Sequence, residues 1–208
     1  MKRIVYAVVV IFMAMHSHAQ EAIPSREKQW NFSIEANNYF FSDDYILLPV
    51  FRADRNKLHL EARYNYEDLE TFSGWVGYNF NGGKKVTYTF TPMLGGVVGL
   101  SNGVALGLEA TVGLKSFELY TEAEHVFDLN TQDNSFFYAW TDISYAPTDW
   151  LWLGLSGQRT RLYKTDLEIQ KGFFLGTGWK SLELTTYIYN LGFDDPFLLI
   201  TLSAGFFE

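Results

Sequence analysis

Glu118, Glu122 and Glu124 share the even-numbered phase of one alternating segment, and Glu109 falls on the polar phase of the segment before it. With Lys115-Ser116 as a two-residue turn, residue 114 meets residue 117 and Glu109 lies directly across from Glu122. Carboxylates that close raise one another's proton affinity or recruit a cation. The chemistry on offer is binding of a cationic or polyhydroxylated solute, a divalent ion, or general acid/base work. The plain alternative is a polar wall whose charges are hydrated or countered by arginines facing it.

A second set is mixed in sign. With Arg55-Asn56 as the turn, Arg52 pairs with His59, and Glu61 and Arg63 follow on the same face. A loop over 67–71 then puts Arg63 opposite Trp75, in reach of a cation–π contact. This is a selectivity patch or binding wall, or an internal salt-bridge network that stiffens a narrow barrel. Tyr120, Tyr138, Trp140 and Trp152 fall on the same inner phase, where they stack sugars or fill space.

The stretch SGQRTRLYKTDLEIQKG, residues 156–172, breaks the pattern by placing Arg159 and Arg161 on the apolar phase. With a three-residue loop at Lys164-Thr165-Asp166, Arg159 faces Lys171 and Arg161 faces Ile169 on the lipid side, where lipopolysaccharide phosphate is the natural ligand. A β-bulge near Gly157 or a shorter loop instead turns Arg159 toward Gln170 and Arg161 toward Glu168 in the lumen. The inward arrangement is favoured, because an arginine in lipid is costly unless it reaches the headgroups.

There is no glycine-rich phosphate loop, metal-ligand histidine spacing or cysteine, so no cofactor and no metal are expected. His59 is predicted inward and His125 lipid-facing, and neither has a serine two residues away.

The elements that must hold these residues alternate with a period of two. Leu58, Leu60, Ala62, Tyr64 and Tyr66 fall on one phase and His59, Glu61, Arg63, Asn65 and Glu67 on the other. Turn signals divide the chain into about twelve strands, at 30–41, 44–54, 57–67, 71–80, 86–100, 104–114, 117–128, 135–145, 150–163, 167–179, 182–191 and 197–208. Most have the ~9–11 residues of a tilted membrane strand.

Alternation suits both a soluble sandwich and a transmembrane barrel. The aromatics decide: Trp30, Tyr45, Phe80, Tyr145, Trp150, Trp179, Phe197 and Phe206 sit near strand ends on the apolar phase, as interfacial girdles do. Lys2 and Arg3, the apolar run 4–15 and Ser17-His18-Ala19 form a secretory signal with cleavage at about Ala19/Gln20. The chain carries 16 Lys and Arg against 24 Asp and Glu, and losing Lys2 and Arg3 makes it more acidic, which excludes nucleic-acid binding.

With its even strand count and its terminal Ala204-Gly205-Phe206-Phe207, the chain resembles the bacterial outer-membrane β-barrel proteins, although Glu208 departs from their usual terminal Phe. The resemblance implies an all-β, antiparallel up-and-down barrel in the Gram-negative outer membrane, with short loops on both sides. It would comprise a signal peptide (1–19), a short periplasmic segment (20–29) and one barrel domain (30–208). The turns at Arg55, Gly82, Lys115, Thr148 and Ser181 then face the periplasm, and no outward loop is long enough to suggest a plug.

The function expected is a small passive channel or solute-binding barrel with an acidic lumen for cationic or neutral polar solutes. The alternatives are a membrane-embedded, lipid-handling enzyme and a structural or partner barrel without transport. Solute identity, oligomeric state and pathway partners are not legible in the sequence.

Overall fold

Along Phe72–Tyr78 exposure alternates residue by residue, with Ser73, Trp75 and Gly77 buried and Phe72, Val76 and Tyr78 open. Polar side chains are inside and apolar ones outside, the reverse of a soluble sandwich. Val76, Leu94, Leu155 and Leu175, near the middle of their strands, all lie more than half exposed on the outer face, at 57%, 61%, 65% and 56%. Such an apolar belt is stable only against lipid.

The computed structural model describes residues 29–130, 135–160 and 169–207, so the signal sequence and most of the N-terminal segment lie outside the described residues. The strands are β1 (Asn31–Phe40), β2 (Tyr45–Arg55), β3 (Leu58–Tyr64), β4 (Phe72–Tyr78), β5 (Phe80–Gly83), β6 (Val86–Val98) and β7 (Gly103–Leu114). They continue with β8 (Phe117–Asp128), β9 (Phe136–Thr148), β10 (Leu151–Arg159), β11 (Gln170–Trp179), β12 (Leu182–Tyr189) and β13 (Phe197–Phe207). Each pairs with its sequence neighbour, β1 with β13 closes the ring, and β4 and β5 both pair β6 as halves of one staggered strand broken at Asn79. The result is the expected closed, antiparallel twelve-strand barrel.

Tight turns set the inner face. Lys115 and Lys180 open two-residue turns in the left-handed region (φ 55° and 59°); the register Glu109↔Glu122 follows as expected, and Gly178 faces Glu183. The turn after β2 is Asn56-Lys57, with Asn56 in the left-handed conformation (φ 56°) that asparagine tolerates well. This moves the pairing by one step. Arg52 faces Glu61 and Asp54 faces His59, so the expected Arg52–His59 pairing is replaced while both residues stay inside.

Two loops also differ from expectation. Residues 65–71 fold back into the barrel, with Asn65 and Glu70 left-handed (φ 57° and 50°) and Tyr66, Glu67 and Thr71 buried. That loop is a plug, and it makes the Arg63 partner Ser73 and the Trp75 partner Glu61. After β6 the chain turns through 99–102, earlier than the strand bounds 86–100 and 104–114 imply, so Gly95 faces Ala105 and Glu109 faces Thr91.

Candidate functional site

From the loop end to the turn end the lumen changes character. At the loop end Tyr39, Tyr189 and Phe197 stack, with ring centroids 6.0 Å apart for Tyr39–Phe197 and 4.9 Å for Tyr189–Phe197. Phe41 and Tyr66 add to this layer, and Tyr66 donates to Glu122 Oε2 at 2.8 Å and meets the Tyr138 hydroxyl at 3.1 Å. Phe197 therefore belongs to the plug and not to the outer girdle. β13 starts with four apolar residues, 197–200, and its first residue packs inside against Tyr39, Phe41 and Tyr189. The girdle positions Tyr45, Phe80, Tyr145, Trp150, Trp179 and Phe206 are exposed on the outside as expected.

The middle of the lumen is an ion lattice centred on Arg63, which is 1% exposed. Its Nε donates to Glu61 Oε2, and its Nη1 donates to Glu122 Oε1 at 2.8 Å and Glu124 Oε2 at 3.1 Å. Its guanidinium lies 4.5 Å from the Tyr66 ring centroid and 4.9 Å from that of Trp75. Arg52 spans the neighbouring space, donating from Nε to Glu61 Oε1 at 2.7 Å and from Nη1 to Glu35 Oε2 at 3.3 Å, with Nη2 3.7 Å from Glu109 Oε1. His59 is held between Asp54 (2.8 Å) and Glu61 (2.9 Å).

Glu109, Glu122 and Glu124 of the first set thus join Arg52, His59, Glu61 and Arg63 of the second in one cluster across the barrel, while Glu118 stands apart from it. The plug loop adds Glu67, which accepts hydrogen bonds from Ser73 Oγ at 2.5 Å and Trp75 Nε1 at 3.1 Å. His59, Glu61 and Glu109 lie close enough for a shared metal ion. Both guanidinium groups already bind Glu61, however, and leave that carboxylate little capacity for a second cation.

Toward the turn end the lattice gives way to a cavity of about 850 Å³. Its walls carry Glu35, Glu109, Glu118, Glu122, Asp142 and Glu183 with Arg52, and Lys84, Lys85 and Lys115 stand among its lining residues at the short turns. The expected inward aromatics Tyr120, Trp140 and Trp152 line it, while Tyr138 is buried above. Asp142 is one of the residues sequence reasoning missed: it accepts from Trp140 Nε1 at 2.6 Å, from Tyr187 at 3.0 Å and from Ser156, which also meets the Tyr189 hydroxyl at 2.6 Å. Its signal was present in its even phase, shared with Tyr138 and Trp140. Glu35, Asp54 and Glu183 were legible in the same way.

Arg159 lies outside this site. Gln158 faces Gln170 and both are buried, so Arg159 falls on the outer phase, where its Nη1 donates to the Phe137 carbonyl. The inward placement is overturned because the register irregularity of β10 lies between Leu151 and Leu153 and not near Gly157. Gly154 to Arg159 therefore keep one uninterrupted phase. Arg161 and Glu168 lie outside the described residues. His125 is on the lipid side, packed edge-on against Phe127 at 4.4 Å.

The lipid-facing belt and the closed ring define the class, a bacterial outer-membrane β-barrel. No family model and no curated sequence matches the chain. Among solved structures it is similar to the KdgM porin, at 12% identity with a TM-score of 0.62 over 84% of this chain and 99% of that one. It also matches the Acinetobacter baumannii outer membrane protein Omp33, at 12% identity and a TM-score of 0.47, over 86% and 99% of the two chains. At these identities the likeness is one of fold.

Proposed function

We propose that this barrel is a solute-binding channel of the outer membrane. Its acidic chamber takes cationic or neutral polar solutes from the short-turn, periplasmic side, and the 65–71 plug controls passage at the loop end. One observation carries the reading: six carboxylates line the chamber, and they outnumber its cationic groups even with the turn lysines counted. Such a wall concentrates cations and excludes anions.

Planar-bilayer recording tests this. The wild type should conduct weakly, Tyr66→Ser should raise the conductance, and the current should favour potassium over chloride. Glu118→Gln with Glu183→Gln should weaken that preference. An anion preference, or a cation preference indifferent to both substitutions, would overturn the proposal. The fully buried Arg63 lattice favours a second reading, a rigid structural barrel, and silence of both wild type and Tyr66→Ser would establish it.

A further inference from the structure

Trp152 stands where the register of β10 against β9 shifts, between Leu151 and Leu153. A bulge of this kind re-aims a side chain. Across the other edge its partner is Gly176. A Cβ on Gly176 would sit 2.0 Å from Trp152 Nε1 and 2.1 Å from Cε2, so the glycine allows the indole to lie directly against the β11 backbone. Trp152 also lines the chamber. At Gly178 an added carbon would touch Trp152 Cζ3 at 3.3 Å and Glu183 Cγ at 3.8 Å, so the two side chains flank the same glycine, and both line the chamber.

The same construction occurs elsewhere in the barrel. Trp75 lies against Gly95, where a Cβ would be 2.5 Å from its Cδ2 and Cε3, and the guanidinium of Arg63 stacks on Trp75 at 4.9 Å. The occupant of one glycine-backed tryptophan is therefore a planar cation held between ring and carboxylates. An indole face is the strongest aromatic partner for such a group.

We propose that Trp152 and Glu183 form a binding site for an organic cation of the guanidinium class, its plane on the indole and its charge on Glu183, with Glu118 also in the chamber wall. This rests on the acidic-chamber reading above and names its solute class. A neutral sugar would use the ring but leave Glu183 without a counter-charge.

The test is binding of L-arginine methyl ester to the folded full-length barrel in a nonionic detergent, followed by calorimetry, with glucose as comparator and cation preference recorded in bilayers on the same samples. Trp152→Leu and Glu183→Gln should each weaken the ester by about tenfold or more, and Trp152→Phe by less. Glucose should bind more weakly than the ester. Heat-modifiable gel mobility checks folding, and Trp152→Phe and Glu183→Gln carry the test should Trp152→Leu misfold. Ester binding unchanged by these substitutions overturns the site, and glucose binding as tight as the ester overturns the cation class. Absent ester binding with cation preference retained sinks this inference alone, whereas loss of cation preference in the wild type sinks the reading beneath it.

Discussion

Arg63 stacks on Trp75 at 4.9 Å even though the two are not cross-strand partners: Arg63 faces Ser73 and Trp75 faces Glu61. The diagonal leaves Nε for Glu61 and Nη1 for Glu122 and Glu124, so one side chain ties β3, β4 and β8 together. A guanidinium does this through its planar fork, and an ammonium cannot. Removing it would strand several buried carboxylates.

Arg63→Met should therefore destabilise the barrel by about 3–5 kcal/mol. Urea unfolding in micelles, followed by tryptophan fluorescence, measures it. Arg63→Lys should remain clearly destabilised despite keeping the charge, and adding Glu122→Gln to Arg63→Met should recover part of the loss. Equal stability of Arg63→Lys and wild type would show that geometry is irrelevant.

The glycine beneath Trp75 is a second sensitive point. An Ala side chain at Gly95 would place its Cβ 2.5 Å from the indole, which is backed on its other face by Arg63. Gly95→Ala should cost about 1–3 kcal/mol by overpacking, in the same unfolding assay. Gly96→Ala, where an added carbon meets nothing within 4 Å, is the matched control and should be nearly silent.

The plug should respond to pH through Glu67. Burial pushes this loop carboxyl above the ordinary carboxylate range, with Arg63, Ser73 and Trp75 pulling the other way. A released loop would return it to about 4.3. The tucked state thus prefers the protonated acid: its stabilisation is complete below the ordinary value and lost as pH rises through the raised one. Bilayer conductance should increase with pH over that window, and Glu67→Gln should flatten the profile. A Glu67→Gln profile identical to wild type would remove Glu67 from the latch.

How far these residues were legible follows from turn chemistry. Lys115-Ser116 and Lys180-Ser181 bound unambiguous alternation on both sides, so Glu109 and Glu122 could be paired from the sequence alone. At Arg55-Asn56-Lys57 polar residues fill three consecutive positions, and the left-handed Asn56 picks the later pair, a choice the alternation does not record. The inward turn of 65–71 was hidden for a different reason. Tyr66 and Glu67 continue the alternation of β3, so they resemble more strand, while their burial comes from contacts with Glu122, Ser73 and Trp75 far along the chain or across the lumen.

The outward position of Arg159 separates two energetic regimes. A guanidinium paired in the lumen, like Arg63, is costly to delete, whereas one at the lipid interface has little to lose: a cation on the lipid face near the headgroups is unfavourable by only about 0–1 kcal/mol. Arg159 sits at the loop end of β10, where its Nη1 donates to the Phe137 carbonyl. Arg159→Leu should thus change unfolding stability by less than about 1 kcal/mol in either direction. A spin label at Arg159→Cys should collide readily with lipid-dissolved oxygen. The same label at Gln158→Cys, whose native side chain is 2% exposed, should be shielded from it. A loss of several kcal/mol in Arg159→Leu, on the scale of Arg63→Met, or oxygen accessibility reversed between the two positions would put Arg159 back in the lumen and shift the register of β10 by one residue.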